Sequence, residues 1–290
     1  MAKGTCLCGT LQYEVSGPFY MMLHCHCSMC RKHHGTAFAT FVAAPLESFT
    51  WISGENDVGR YQSSEKGHRA FCRVCGSVAP TLAPEMGVAI IPAGNLDGDL
   101  GVKPELHMFV GSKAPWTSIT DSLPQHEAWP PAFTSGVVDS PPRETKPDAV
   151  TGSCLCNQVA FEYTGAPVRM WSCHCTRCRH ARSAAHGTNV FTKLEQFRWT
   201  RGEELTASYK VPDARFFTIS FCTQCGGSVP VVSAARALVV IPLGSLDSDP
   251  GMRTIAHVFT GFKAPWFEIT DSTPQYPEAP PMPSPPPSAT

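Results

Sequence analysis

The chain has 290 residues, 42% of them apolar, and a formal net charge of -1. That length supports two modest domains with their own cores, and the balanced charge excludes the basic excess of a nucleic-acid binder. The opening MAKGTCLCGT has no apolar signal region and the longest apolar runs, such as Val88–Ala93, are strand-sized, so a cytoplasmic protein with no membrane association is expected.

In chain order, β-branched and aromatic stretches between Gly, Pro and Asn turns predict strands at 10–15 (TLQYEV), 37–44 (AFATFVAA), 48–52 (SFTWI), 88–94 (VAIIPAG) and 105–110 (ELHMFV). A second series falls at 158–163, 196–200, 206–211, 216–221, 237–244 and 255–260. The helical stretches are SMCRKHHG and TRCRHARSAA, each inside or just after a cysteine cluster. The expected class is mainly β, with two tandem domains and little helix. Residues 128–150, rich in Pro and polar side chains, read as a linker between domains at 1–127 and 151–276. The Pro-rich tail 277–290 has too few apolar side chains to pack and is expected to be disordered or extended.

The two series are a repeat. Cys6, Cys8, Cys25, Cys27 and Cys30 match Cys154, Cys156, Cys173, Cys175 and Cys178 at an offset of 148. Cys72 and Cys75 match Cys222 and Cys225 at 150, as do His107 and His257, the two KAPW segments, and Asp121 and Asp271. Units of this size are domains rather than solenoid repeats.

Fourteen cysteines in an oxidising compartment would suggest disulfides, but nothing directs the chain to one. The spacings C-x-C and C-x-x-C suit a shared metal ion better. Seven thiolates per copy divide as four plus three, matching a closed structural zinc and an open one. One division places Cys6, Cys8, Cys72 and Cys75 on the structural ion and leaves Cys25, Cys27 and Cys30 with a free position. The alternative closes the second site with an acid or with His24, His26 or His33. Glycine after the second cysteine in CRVCGS and CTQCGGS suits a turn around a metal.

Candidate proton carriers are His26 and His174, between cluster cysteines, together with His33, His34 and His186 on the expected helices. His107 and His257 read as buried, hydrogen-bonded histidines. Arg31, Arg69 and Lys113 are candidates to hold a substrate carboxylate. Trp116 and Trp266 read as core aromatics.

GTCLCGTLQYEVSG, CHCSMCRKHHGTAF, YQSSEKGHRAFCRVCGS, AGNLD and HMFVGSKAPWTSITDSLPQ resemble the glutathione-dependent formaldehyde-activating enzymes, whose relatives include centromere protein V. The resemblance implies a zinc-bound "β-tent" domain, present twice here. It also implies the four-plus-three division. Cys6, Cys8, Cys72 and Cys75, with Cys154, Cys156, Cys222 and Cys225, would be structural. Cys25, Cys27 and Cys30, with Cys173, Cys175 and Cys178, would be catalytic. Four zinc ions per chain follow, with glutathione as a cosubstrate and a small-molecule substrate. The implied activity is a carbon–sulfur lyase joining glutathione and formaldehyde in a detoxification role. A hydrolase of another activated electrophile, or a non-catalytic zinc module binding a protein, are the alternatives. The copies differ, with Gly35, Phe38 and Arg69 of the first aligned to Ser183, His186 and Ile219 of the second. The first keeps the family pattern and is expected to carry most of the catalysis.

Overall fold

A computed structural model describes residues 1–65, 67–131, 143 and 145–280. It is mainly β, and the two copies repeat one arrangement. In the first, strands Ala2–Thr5, Gln12–Val15 and Phe49–Ser53 form one antiparallel sheet. A six-stranded sheet runs in the order Gln125–His126, His107–Met108, Met21–Cys25, Ala39–Pro45, Val88–Pro92, Thr81–Ala83. Val58–Gln62 pairs with His68–Cys72 as a separate hairpin. The second copy matches, with Arg169–Cys173 at the centre of its six-stranded sheet.

The central strands Met21–Cys25 and Arg169–Cys173 lie outside the strands expected from pattern. MMLHC and RMWSC carry too few β-branched residues to declare themselves. Their place is fixed by pairing on both sides. Cys25 lies opposite Ala39 in an antiparallel pair and His24 lies beside His107 in a parallel one. The helices fall where expected, α1 at Ser28–His34 and α2 at Thr176–Arg182. His186 therefore lies beyond the helix on which it was expected, because α2 ends in a left-handed cap at Ser183.

The copies grip each other. Arg31 on α1 donates to the carbonyls of Gly244 and Leu246 at 3.5 and 2.9 Å. Lys32 reaches Asp247 at 2.6 Å and also donates to Ser153. On α2, Arg179 makes the reciprocal bonds to Gly94 and Leu96, and with His180 meets Asp97. The backbones are so close that a Cβ on Gly94 would lie 2.0 Å from the Ala184 nitrogen, and one on Gly244 2.2 Å from the Arg31 carbonyl. Only glycine fits there. The two tryptophans complete the exchange: Trp116 packs in the core of the second copy and Trp266 in that of the first. Equivalent residues also meet, Phe71 with Phe221 and Thr120 with Thr270, so a pseudo-two-fold axis runs along the seam.

Only part of the expected linker and tail lies within the described residues. Ala128 and Trp129 pack back on the first copy through Phe109. Arg143 bonds the Leu155 carbonyl, and Lys146 pairs with Glu162. Pro277 and Glu278, within the expected tail, accept backbone bonds from Gly261 and Phe259. Residues 132–142, 144 and 281–290 lie outside the described residues.

The seam pairs differ in burial, and stability should follow. Lys32 and Asp247 are 1% and 5% exposed, whereas Asp97 is 51% exposed. Lys32→Met leaves a buried carboxylate uncompensated and should cost about 3–5 kcal/mol in denaturant unfolding. Asp97→Ala should cost no more than about 1 kcal/mol.

Candidate metal centres and a histidine-lined cavity

Four cysteine groups form, each with its sulfurs within 4.8 Å of one another: Cys6, Cys8, Cys72 and Cys75; Cys154, Cys156, Cys222 and Cys225; Cys25, Cys27 and Cys30; Cys173, Cys175 and Cys178. A tetrahedral zinc–thiolate site sets sulfurs about 3.8 Å apart. The sulfur separations fit: Cys6–Cys8 3.4 Å, Cys8–Cys72 3.7 Å, Cys154–Cys156 3.4 Å and Cys156–Cys222 3.8 Å. Backbone N–H groups point at the sulfurs, as around a bound metal, from Leu11 to Cys6 and from Val159 to Cys154, both at 3.3 Å. Gly76 and Gly226, after the C-x-x-C pairs, turn with φ of +71° and +69°.

The trios are built at the end of the central strand and the start of the helix. Cys25 ends its strand, Cys27 caps α1 through its sulfur, and Cys30 follows one turn later, its N–H 3.3 Å from the Cys27 sulfur. Cys173, Cys175 and Cys178 repeat this at 3.4 Å. Among the described residues no histidine or carboxylate joins either trio. His33 is buried in α1 and His34 bonds the Arg182 carbonyl across the seam at 2.8 Å. The donor set fits zinc with three thiolates and one open position.

Strand alternation carries the intervening histidine into a different network. His26 Nε2 meets His107 Nδ1 at 2.8 Å, and His107 Nε2 meets Asp121 at 3.0 Å. His174, His257 and Asp271 repeat the chain at 2.9 and 3.0 Å. The carboxylate accepts from Nε2–H of His107, so a neutral His107 offers Nδ1 as acceptor, and His26 donates from Nε2. That leaves the buried Nδ1 of His26, and of His174, with a lone pair and no hydrogen-bond partner among the described residues. Burial first, then neighbouring His107, holds His26 down to about 3. Burial and then His186 lower His174 to about 2. These are neutral imidazoles at physiological pH. Pattern alone does not mark Asp121 and Asp271 as site residues, although both recur at the 150-residue offset with their histidines.

A third imidazole joins each network from a different position. His24 Nδ1 bonds Thr40 at 2.9 Å, and His186 Nδ1 bonds Thr188, the equivalent threonine, at 3.1 Å. The aligned residues are Ser172 and Phe38. Both networks reach one cavity of about 360 Å³ at the seam, lined by His26, His107 and Asp121 of the first copy and by His257 and Asp271 of the second, with the Phe38 and Phe267 rings 6.2 Å apart in its wall.

The expected carboxylate holders are engaged elsewhere. Arg31 lies over Trp116 at 5.2 Å and secures the seam. Lys113 donates to the Thr117 carbonyl at 2.6 Å. Arg69 lies beside the first trio, 3.4 Å from the Cys30 sulfur. Ser183 keeps the left-handed turn of Gly35, and its hydroxyl bonds the Val78 carbonyl rather than the cavity.

The trios differ in exposure. Cys25, Cys27 and Cys30 are 2%, 4% and 5% exposed and share an apolar cluster with Phe109 and Trp129. Cys173, Cys175 and Cys178 are half-buried, Phe259 is half-buried, and an exposed Ala279 stands where the first copy has Trp129.

A mainly β chain with paired four- and three-cysteine centres that could hold metal ions defines the class of protein, and comparison supplies the family. The sequence profile of the glutathione-dependent formaldehyde-activating enzymes (GFA) matches residues 1–112 and 149–261. The chain belongs to that family, with the domain present twice. It is 28% identical over 128 residues to a putative glutathione-dependent formaldehyde-activating enzyme of Halomonas elongata, covering 41% of this chain and 81% of that protein. It is 31% identical over 75 residues to an uncharacterized lyase of Schizosaccharomyces pombe, covering 26% of this chain and 53% of that one. A Rhodobacter sphaeroides protein of known crystal structure is 27% identical, covering 33% of this chain and 89% of that one, with a TM-score of 0.28.

Two outcomes are expected. Cys72→Ser should lower the melting temperature of zinc-loaded protein more than Cys27→Ser, because a closed site contributes directly to folding. In metal-stripped protein that remains folded, Cys173, Cys175 and Cys178 should alkylate severalfold faster than Cys25, Cys27 and Cys30, as read by peptide mass spectrometry. Equal rates would mean that the packing around Trp129 does not shield the first trio.

Proposed function

We propose that this chain is a zinc-dependent carbon–sulfur lyase-type enzyme that makes and breaks thiol adducts of formaldehyde or another small carbonyl electrophile, with glutathione as the thiol. The observation that carries this reading is the trio of cysteines with no fourth protein ligand among the described residues, present twice in a chain of the GFA family. Zinc bound there would supply Lewis acidity and a seat for a thiolate at its open position.

The reaction moves one proton. As the C–S bond forms, the thiol loses its proton and the carbonyl oxygen gains one; cleavage reverses both. In this reading the chain's own part is to hold that proton. Asp121 fixes the His107 tautomer, His107 orients His26, and His26 Nδ1 is the free acceptor; Asp271, His257 and His174 do the same in the second copy. The half-buried second trio favours that copy as the readier site, the reverse of what family-pattern residues alone suggest. A cytoplasmic setting and a detoxifying role suit fourteen unpaired cysteines.

The test uses the full zinc-loaded chain with ¹³C-formaldehyde and glutathione, following interconversion with S-hydroxymethylglutathione by NMR exchange. The chain should accelerate it above the spontaneous rate. Cys175→Ser should lose more of that acceleration than Cys27→Ser. His174→Asn should slow the second site about 100-fold with zinc retained. A chain holding four zinc ions that gives no acceleration overturns the reading.

A further inference from the structure

Arg69 extends from strand His68–Cys72 and places Nη1 3.4 Å from the Cys30 sulfur. Its Nε is buried without a hydrogen-bond partner, and no carboxylate pairs with it among the described residues. The second copy has Ile219 at that position, 5% exposed, and so lacks this arginine. Yet an arginine side chain also lies beside its trio. Arg182, the last residue of α2, is 5% exposed. A Cβ on Gly187 would lie 3.4 Å from both Arg182 Cγ and Cys178 Cβ, so the two side chains flank one point. Arg182 also has no carboxylate partner among the described residues; its guanidinium donates to the Asn189 side-chain oxygen at 3.3 Å.

Position 182 aligns with His34, which lies close enough to feel the charges of both Arg69 and Cys27. Two aligned positions thus come into question beside the trios, one on the helix and one on the hairpin. The first copy fills them with His34 and Arg69, the second with Arg182 and Ile219. A buried cation without a counter-charge is costly. Among the described residues, Cys30 lies against Arg69 and Cys178 beside Arg182, and neither arginine has a carboxylate partner.

The geometry points to one arginine as the counter-charge of each three-thiolate centre, Arg69 in the first copy and Arg182 in the second, with the supplying position exchanged between hairpin and helix. This rests on the proposed function only in taking the trios as zinc thiolates. Zinc with three thiolates carries a charge of -1, which the arginine cancels. A substrate thiol arriving as thiolate then meets a neutral centre rather than an anionic one. Arg69 and Arg182 are positioning residues, and the ligand class they favour is an anionic sulfur donor. The second copy is accordingly not a degenerate one.

The test is competition of the full zinc-loaded chain against a chelator, with cobalt substitution to read thiolate-to-metal charge-transfer bands. Wild type should hold four ions. Arg69→Met and Arg182→Met should each weaken one ion about 10–100-fold and shift its bands, leaving the four-cysteine sites unchanged. Arg69→Lys and Arg182→Lys should retain most of the affinity. Adding His34→Arg to Arg69→Ile should restore it by copying the second arrangement into the first. If that double variant does not fold by circular dichroism, the Met and Lys pairs decide. Affinities within twofold of wild type in the Met variants, or a loss spread equally over all four sites, overturn the assignment while leaving the function standing. A wild-type chain that holds only two ions removes the proposed function and this assignment together.

Discussion

Lys32 lies two residues after Cys30, and its ammonium is spent entirely on the other copy, on Asp247 and on the Ser153 and Ser245 carbonyls. With the reciprocal bonds of Arg179, this docking holds two helices of seven residues each, too short to persist alone. The helices in turn fix Cys27 and Cys30, and Cys175 and Cys178, relative to the strand cysteines. Each three-cysteine centre is therefore shaped by its own strand and by a turn of the opposite copy. The four-cysteine centres sit inside single copies and tie the first strands to the C-x-x-C hairpins. They also share apolar clusters with the opposite copy, Cys154, Cys222 and Cys225 packing with the first trio.

The same docking creates the cavity. Neither copy encloses it alone; the Asp–His–His chains approach it from opposite sides of the pseudo-two-fold axis. Burial opposes protonation of His24, His26 and His186, so these three line it as neutral hydrogen-bonding groups. The cysteine trios lie outside the cavity lining, and His26 and His174, each between two cysteines in sequence, tie the trios to the Asp–His–His chains.

Much of this was legible in the sequence. The repeat, the sevenfold cysteine count and the offset-matched His and Asp residues lie in plain order, and the helices were marked by their cysteines. The central strands were not, since MMLHC and RMWSC gain their conformation from neighbours on either side rather than from propensity. The seam was not legible either: Lys32 and Asp247 are 215 residues apart, and Gly94 is simply a turn glycine until the Ala184 backbone is seen against it. Alignment alone does not show that His186 bonds Thr188, the counterpart of the Thr40 that His24 bonds, or that Arg182 lies beside Cys178 where Ile219 aligns with Arg69.

That displacement of residues bears on why the two copies share one chain. An assembly of identical subunits must solve both halves of a symmetric interface with the same side chains. Here Phe38 lies 5.8 Å from His186 and 6.2 Å from Phe267. The places of these two residues in the first copy are taken by Phe38 itself and Thr117. Two first halves would bring phenylalanine to phenylalanine and lose the second wall; two second halves would bring histidine to histidine. The cavity exists only as a mould cast from one half of each kind. Covalent linkage guarantees that one-to-one pairing at any concentration, so the tandem is in effect a heterodimer that never has to find its partner.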